Sequence, residues 1–190
     1  LRNWKNKNMA HVVVLIPGML GAGCTSVAQE LAKRTGLRII NSEYIIRGIV
    51  SEKRVSFTEL ANMARDGEID LEDLVRSIAV DHVREGGVIV EGRTALMVLN
   101  QPVTLKVFLY ADKRARIERI AKRRNISAED AREEIEHSDA DRNRLTERFY
   151  KKPYTDPTLY DIMLDTTNLA FSDAATIIES ILKQRIPFKR

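Results

Sequence analysis

The chain has 190 residues, 44% hydrophobic and 31% charged, a balance that excludes a disordered or collagen-like chain and a length that suits one domain. Lys and Arg number 31 against 27 Asp and Glu, leaving a net charge of +4, which allows an anionic ligand without demanding nucleic acid or a membrane surface. The single cysteine, Cys24, excludes an intramolecular disulfide and points to a reducing, cytoplasmic setting.

In chain order, Leu1 to Asn8 is polar and basic, with no signal-peptide run after it. Leu1 is not a natural start: either Met9 initiates the chain or the chain is cut from a longer one. Residues 1–10 read as an N-terminal extension or remnant, and 11–190 as a single domain. Val12 to Ile16 is the longest apolar run, far short of the roughly 18 residues of a membrane span. It suits a central parallel strand buried on both faces. Pro17-Gly18 ends it. Val27 to Thr35 has helical spacing and stops at Gly36. Leu37 to Ile40 is a second strand. Ser42 is placed to cap a helix reaching about Glu52. Ser56 to Asp66 and Leu71 to Glu85 are two further amphipathic helices. Val88 to Val90 and Leu105 to Tyr110 are strands three and four. Asp112 caps a basic helix to about Arg124. Ser127 with Asp130 suggests a capping box for the next helix. Asp161 to Leu164 is a fifth strand, and Ser172 to Lys183 a capped closing helix. Strands alternating with helices predict an α/β fold with a parallel sheet covered on both sides.

The first strand runs into Gly18-Met19-Leu20-Gly21-Ala22-Gly23-Cys24-Thr25-Ser26. This fits the phosphate-loop pattern G-x-x-x-x-G-K-[ST] except at lysine, where Cys24 stands. Gly18, Gly21 and Gly23 let backbone N–H groups turn around an anion, with Ala22 between them. The helix beginning near Ser26 points its positive end at the same place. Thr25 is placed to reach Mg²⁺. The missing lysine normally bridges the β and γ phosphates as a point charge. Either arginines from elsewhere supply that charge, or the site binds nucleotide weakly, or it no longer does chemistry.

Further along, Arg93 leaves the carboxyl end of the third strand, where ligands bind in open α/β sheets. Asp141, Arg144 and Arg148 recur at i, i+3, i+7 and share one helix face. The basic helix after Asp112 carries no interleaved aromatics, which argues against a nucleic-acid patch. One cysteine and the scattered His11, His82 and His137 give no metal-ligand spacing.

Taken together, residues 11–183 resemble the cytidylate kinases, of the compact archaeal type, within the nucleoside monophosphate kinase group. Five blocks carry the resemblance: Asn41-Ser42-Glu43 with Arg47; Glu68-Ile69-Asp70-Leu71; Glu91-Gly92-Arg93; Asp141-Arg142-Asn143-Arg144; and Tyr160 to Thr167. The resemblance implies a three-layer P-loop kinase fold. Its five-stranded parallel sheet would carry a helical monophosphate-binding insertion at about 42–86 and a helical lid at about 119–150. It implies transfer of the ATP γ-phosphoryl group to CMP or dCMP with Mg²⁺, by a monomer whose partners are small nucleotides, not nucleic acid or membrane. Gly18 through Ser26 would hold ATP, with Thr25 on the metal and Arg116 and Arg119 facing ATP. Ser42, Arg47, Gly92, Arg93, Asp141 and Arg144 would hold the monophosphate. Arg142 and Arg148 would serve the transferred group, and with Arg116 and Arg119 form the pool that replaces the lysine. Two positions depart from the family's pattern: His137 stands for an arginine and Thr94 for an aspartate. An anion-binding module without phosphoryl transfer, and a P-loop kinase for a different small acceptor, are the alternative readings.

Overall fold

The central strand is built from the run with no polar residue. A computed structural model, which describes residues 9–186, places β1 at Val13–Ile16. It lies between β3 (Val88–Glu91) and β4 (Leu105–Tyr110), with β2 (Arg38–Ile40) and β5 (Ile162–Asp165) at the edges. Every pairing in this sheet is parallel, in the order β2-β3-β1-β4-β5. Strand alternation divides the core into two layers. Val13, Leu15, Val90 and Phe108 face one layer, while Val14, Ile16, Ile89 and Leu109 face the other. Residues 1–8 of the expected extension and residues 187–190 of the expected domain lie outside the described residues. Met9, which the sequence reading assigned to the extension, is buried in the second layer.

The helices are α1 (Cys24–Thr35), α2 (Ser42–Lys53), α3 (Phe57–Arg65), α4 (Leu71–Glu85), α5 (Gly92–Met97), α6 (Lys113–Arg124), α7 (Ala128–Tyr150) and α8 (Phe171–Arg185). Helices α1 and α8 cover the second layer, while α2 to α5 and the end of α7 cover the first. Among the described residues no helix is long and apolar enough to cross a membrane.

Several local expectations are corrected. Asn41, not Ser42, caps α2: its side chain accepts the Tyr44 N–H. At Ser127 the box is half formed, because the Asp130 carboxylate takes the Ser127 hydroxyl. The full capping box sits at Ser56 and Glu59. Helix α8 starts a residue early, at Phe171, and its N-cap Ala170 has no side chain to offer. Strand β5 starts one residue late, because the Asp161 carboxylate accepts the Lys106 N–H at the strand's mouth.

The register sets the site. Ile16 pairs with Glu91, Ile40 with Val90, and Tyr110 with Asp165. The segments that follow β1, β2, β3 and β5 therefore leave the sheet along one carboxyl edge. That edge collects the glycine loop, Asn41-Ser42, Gly92-Arg93 and Thr166-Thr167.

Candidate active site

The glycine loop is shaped by close approaches that no side chain would survive. A Cβ on Gly18 would stand 2.4 Å from the Leu109 carbonyl oxygen and 2.7 Å from Cys24 Sγ. One on Gly23 (φ 92°) would meet the Phe171 ring at 2.3 Å. The carbonyls of the loop are tied outward. Gly18 O accepts from Arg142 Nε (3.0 Å), Leu20 O from Arg116 Nε (2.8 Å), Gly21 O from Arg119 Nη1 (3.2 Å) and Ala22 O from Thr166 Oγ1 (2.8 Å). With four acceptors taken from outside, and Met19 O by the Ala22 N–H within the loop, the N–H groups at the start of α1 remain, an arrangement suited to an anion.

Cys24 is the second feature. Burial, with the Glu91 charge adding to it, pushes its thiol up to about 12. It is therefore a neutral S–H at pH 7, which neither repels phosphate nor acts as a nucleophile.

Thr25 Oγ1 lies 3.2 Å from each carboxylate oxygen of Glu91, the last residue of β3. Asn41 Nδ2 donates to the same carboxylate at 2.8 Å. Burial raises the Glu91 pKa, against the hydrogen bonds from Asn41 and Thr25. A hydroxyl and a carboxylate beside a phosphate loop make an oxygen donor set that suits Mg²⁺, which keeps several waters and needs few protein ligands. The sequence reading quoted Glu91 but gave it no role. The signal was there: a lone carboxylate closing the buried run Val88-Ile89-Val90.

Two cavities flank the loop. One of about 420 Å³ is lined by Gly21, Gly23, Ser26, Arg119, Arg123 and Phe171. There the Arg119 guanidinium sits 5.2 Å from the Phe171 ring centroid, a cation–π contact. The other, of about 640 Å³, is lined by Leu20, Arg93, His137, Asp141, Arg142 and Arg144, among others. In it Asp141 ion-pairs with Arg93 (3.5 Å) and with Arg144, while Arg93 also reaches Glu72 at 3.5 Å. Ser42 Oγ and Thr94 Oγ1 share a hydrogen bond of 2.7 Å at the base of α2 and α5. Gly92 (φ 67°) makes the turn that delivers Arg93 to this cavity.

Three expected residues are placed differently. Arg47 pairs with Glu43 at 2.8 Å on the exposed face of α2 and lines a separate groove with Tyr44 and His82. Arg148 pairs with Asp73 (3.6 Å) and is half exposed. It lies six residues past Arg142 on one helix, about 120° around and about 9 Å along the axis, so the two leave the helix in different directions. Arg116 is buried, and its guanidinium is taken by Leu20 O and both oxygens of Asp139 (2.7 and 2.9 Å). It straps the loop and does not face either cavity. Asp139 and Phe171 were not legible as site residues, because their partners lie far away in sequence, and Asn41, which stands in the Asn41-Ser42-Glu43 block, carried no sign of its contact with Glu91.

Comparison with known proteins agrees with this geometry. Residues 13–168 match the profile of the cytidylate kinase-like family. The chain is 32% identical to a cytidylate kinase of Methanopyrus kandleri over 181 residues, covering 90% of this chain and 93% of that protein. It is 34% identical to a cytidylate kinase of Methanothrix thermoacetophila over 158 residues, covering 82% and 88%. In fold it is similar to the shikimate kinase of Acinetobacter baumannii, with a TM-score of 0.60 at 16% identity, covering 93% of this chain and 96% of that one.

Proposed function

The chain belongs to the cytidylate kinase-like family, and from that premise we propose that it transfers the γ-phosphoryl group of ATP to CMP or dCMP. The observation that carries this reading is the loop standing between two cavities, with Gly21 lining one and Leu20 the other. A triphosphate held by the loop has its nucleoside on the Phe171 side and its terminal phosphate toward Arg93, Asp141 and Arg144.

In this reading the loop N–H groups hold the phosphates, and Thr25 and Glu91 would hold Mg²⁺, which would supply charge to offset that of the transferred group. Arg93 and Arg144 receive the acceptor phosphate, exchanging their contacts with Asp141 for it. An oxygen of the acceptor's 5′-phosphate forms the new P–O bond as the bond between the γ phosphorus and the bridging oxygen breaks. The products are ADP and a nucleoside diphosphate. The protein supplies position and charge, not a covalent intermediate. Closure of α6 and α7 over the cavities excludes water, which would otherwise take the phosphoryl group.

Separation of the diphosphate products by chromatography, with CMP, dCMP, UMP, AMP and GMP each in turn, tests the acceptor. Fastest product formation from CMP or dCMP supports the reading. Faster formation from another base overturns the specificity while keeping the kinase. The second reading, an anion-binding module, is favoured by one feature, the uncharged Cys24, and predicts ligand binding with no product from any acceptor.

A further inference from the structure

Resting on the kinase reading, we propose that Arg142 replaces the missing phosphate-loop lysine: its guanidinium, delivered from helix α7, supplies the positive charge that the β and γ phosphates of ATP meet. Position 24 carries a buried, neutral thiol, so the loop itself brings no such charge. Among the four arginines that could bring it, three are committed elsewhere. Arg116 is neutralised by Asp139. Arg119 is held by the carbonyls of Gly21, Thr166 and Thr167 and sits against Phe171 on the other side of the loop. Arg148 is turned to Asp73.

Arg142 differs from all three. It is 9% exposed. Its Nε donates to Gly18 O at 3.0 Å, and its Nη1 to the carbonyl (3.2 Å) and hydroxyl of Ser138. Its Nη2 makes no hydrogen bond, and the guanidinium no ion pair, among the described residues. No carboxylate among the described residues stands within ion-pair distance of it, Asp139 and Glu91 act on it only from further away, and burial lowers its pKa. Yet this guanidinium lines the cavity on the acceptor side of the loop. Its Nη2 is open to an anion entering that cavity.

The steric fit agrees. Gly18 is pressed by Cys24 Sγ, which lies 2.7 Å from where its Cβ would stand, and its carbonyl is held by Arg142. Cys24 and Arg142 thus flank the same residue, the first glycine of the loop. A short side chain at 24 leaves that flank to the guanidinium.

The test is calorimetric binding of inorganic tripolyphosphate with Mg²⁺ to the whole chain and to three variants. Arg142→Gln removes the charge, Arg142→Lys keeps it, and Arg84→Gln is a surface control on α4. The expected result is a loss of about tenfold to a hundredfold for Arg142→Gln, the scale of one charge-assisted hydrogen bond. Arg142→Lys should retain most of the affinity, and Arg84→Gln all of it. Unaltered binding by folded Arg142→Gln overturns the assignment. So does an Arg142→Lys affinity as poor as that of Arg142→Gln, because the charge would then not matter. If Arg142→Gln loses its circular dichroism, Arg142→Lys decides: near-normal affinity supports the assignment, and a loss of about tenfold or more overturns it. Tripolyphosphate needs no acceptor and no turnover. A chain that phosphorylates none of CMP, dCMP, UMP, AMP and GMP but shows this pattern refutes the kinase reading and leaves Arg142 as the anion's partner.

Discussion

Thr25 and Glu91 stand 66 residues apart in the chain, yet the Thr25 hydroxyl lies 3.2 Å from both Glu91 carboxylate oxygens. The contact exists because β1 and β3 are parallel neighbours in register, Ile16 beside Glu91. The loop and the carboxylate must then emerge at the same edge.

Glu91 is held against its own preference. Its pKa is raised by burial, so the native state binds the proton more tightly than the unfolded chain does. Stability from this group is present at low pH and is lost as pH rises through the folded pKa. Glu91→Gln removes that loss. It is expected to raise stability near neutral pH, where Glu91 is otherwise ionised against its burial. The gap from the unaltered protein should close as pH falls below the carboxylate range. The same change is expected to lower kcat about a hundredfold, as removal of an electrostatic group does. Thermal melts across pH and steady-state rates check both halves.

Cys24 should be inert. A thiol pushed up to about 12 by burial has almost no thiolate at pH 8. Labelling by a disulfide reagent is expected to be slow in the native state and complete in denaturant, at one thiol per chain. Fast stoichiometric labelling of native protein at pH 8 would contradict the buried placement of Sγ.

Asp141 keeps Arg93 and Arg144 in the acceptor cavity. The Asp141→Ala variant frees the Arg144 guanidinium and leaves Arg93 to Glu72 alone, since the pairs are partly exposed and individually weak. The expected effect is a rise of about tenfold in the KM for the monophosphate, with the KM for ATP unchanged. Equal changes in both KM values would mean that Asp141 serves the fold and not the acceptor.

Much of this arrangement was legible in the sequence because it is local. The apolar run at Val13–Ile16, the glycine spacing and the caps at Asp112 and Ser127 are read from neighbours a few residues apart. What was missed depends on contacts across the sheet. Helix α5 was not expected because Thr94, Ala95, Leu96 and Met97 are all buried, and a six-residue helix whose last four residues are buried in succession has no period to read. Arg47 is followed by Gly48 and has Glu43 one turn back; the i,i+4 pair takes its guanidinium to the outer face. As the source of the missing lysine's charge, Arg116, Arg119, Arg142 and Arg148 were equivalent in the sequence. Asp139, Thr166 and Asp73, distant in the chain, hold three of the four guanidiniums through space.

The most direct test of the whole account is ADP release from ATP and Mg²⁺, measured with and without CMP. The account predicts a rate with CMP or dCMP well above the rate without acceptor, from a loop that has no lysine. Equal rates with and without acceptor, in protein that binds both nucleotides by calorimetry, would contradict it.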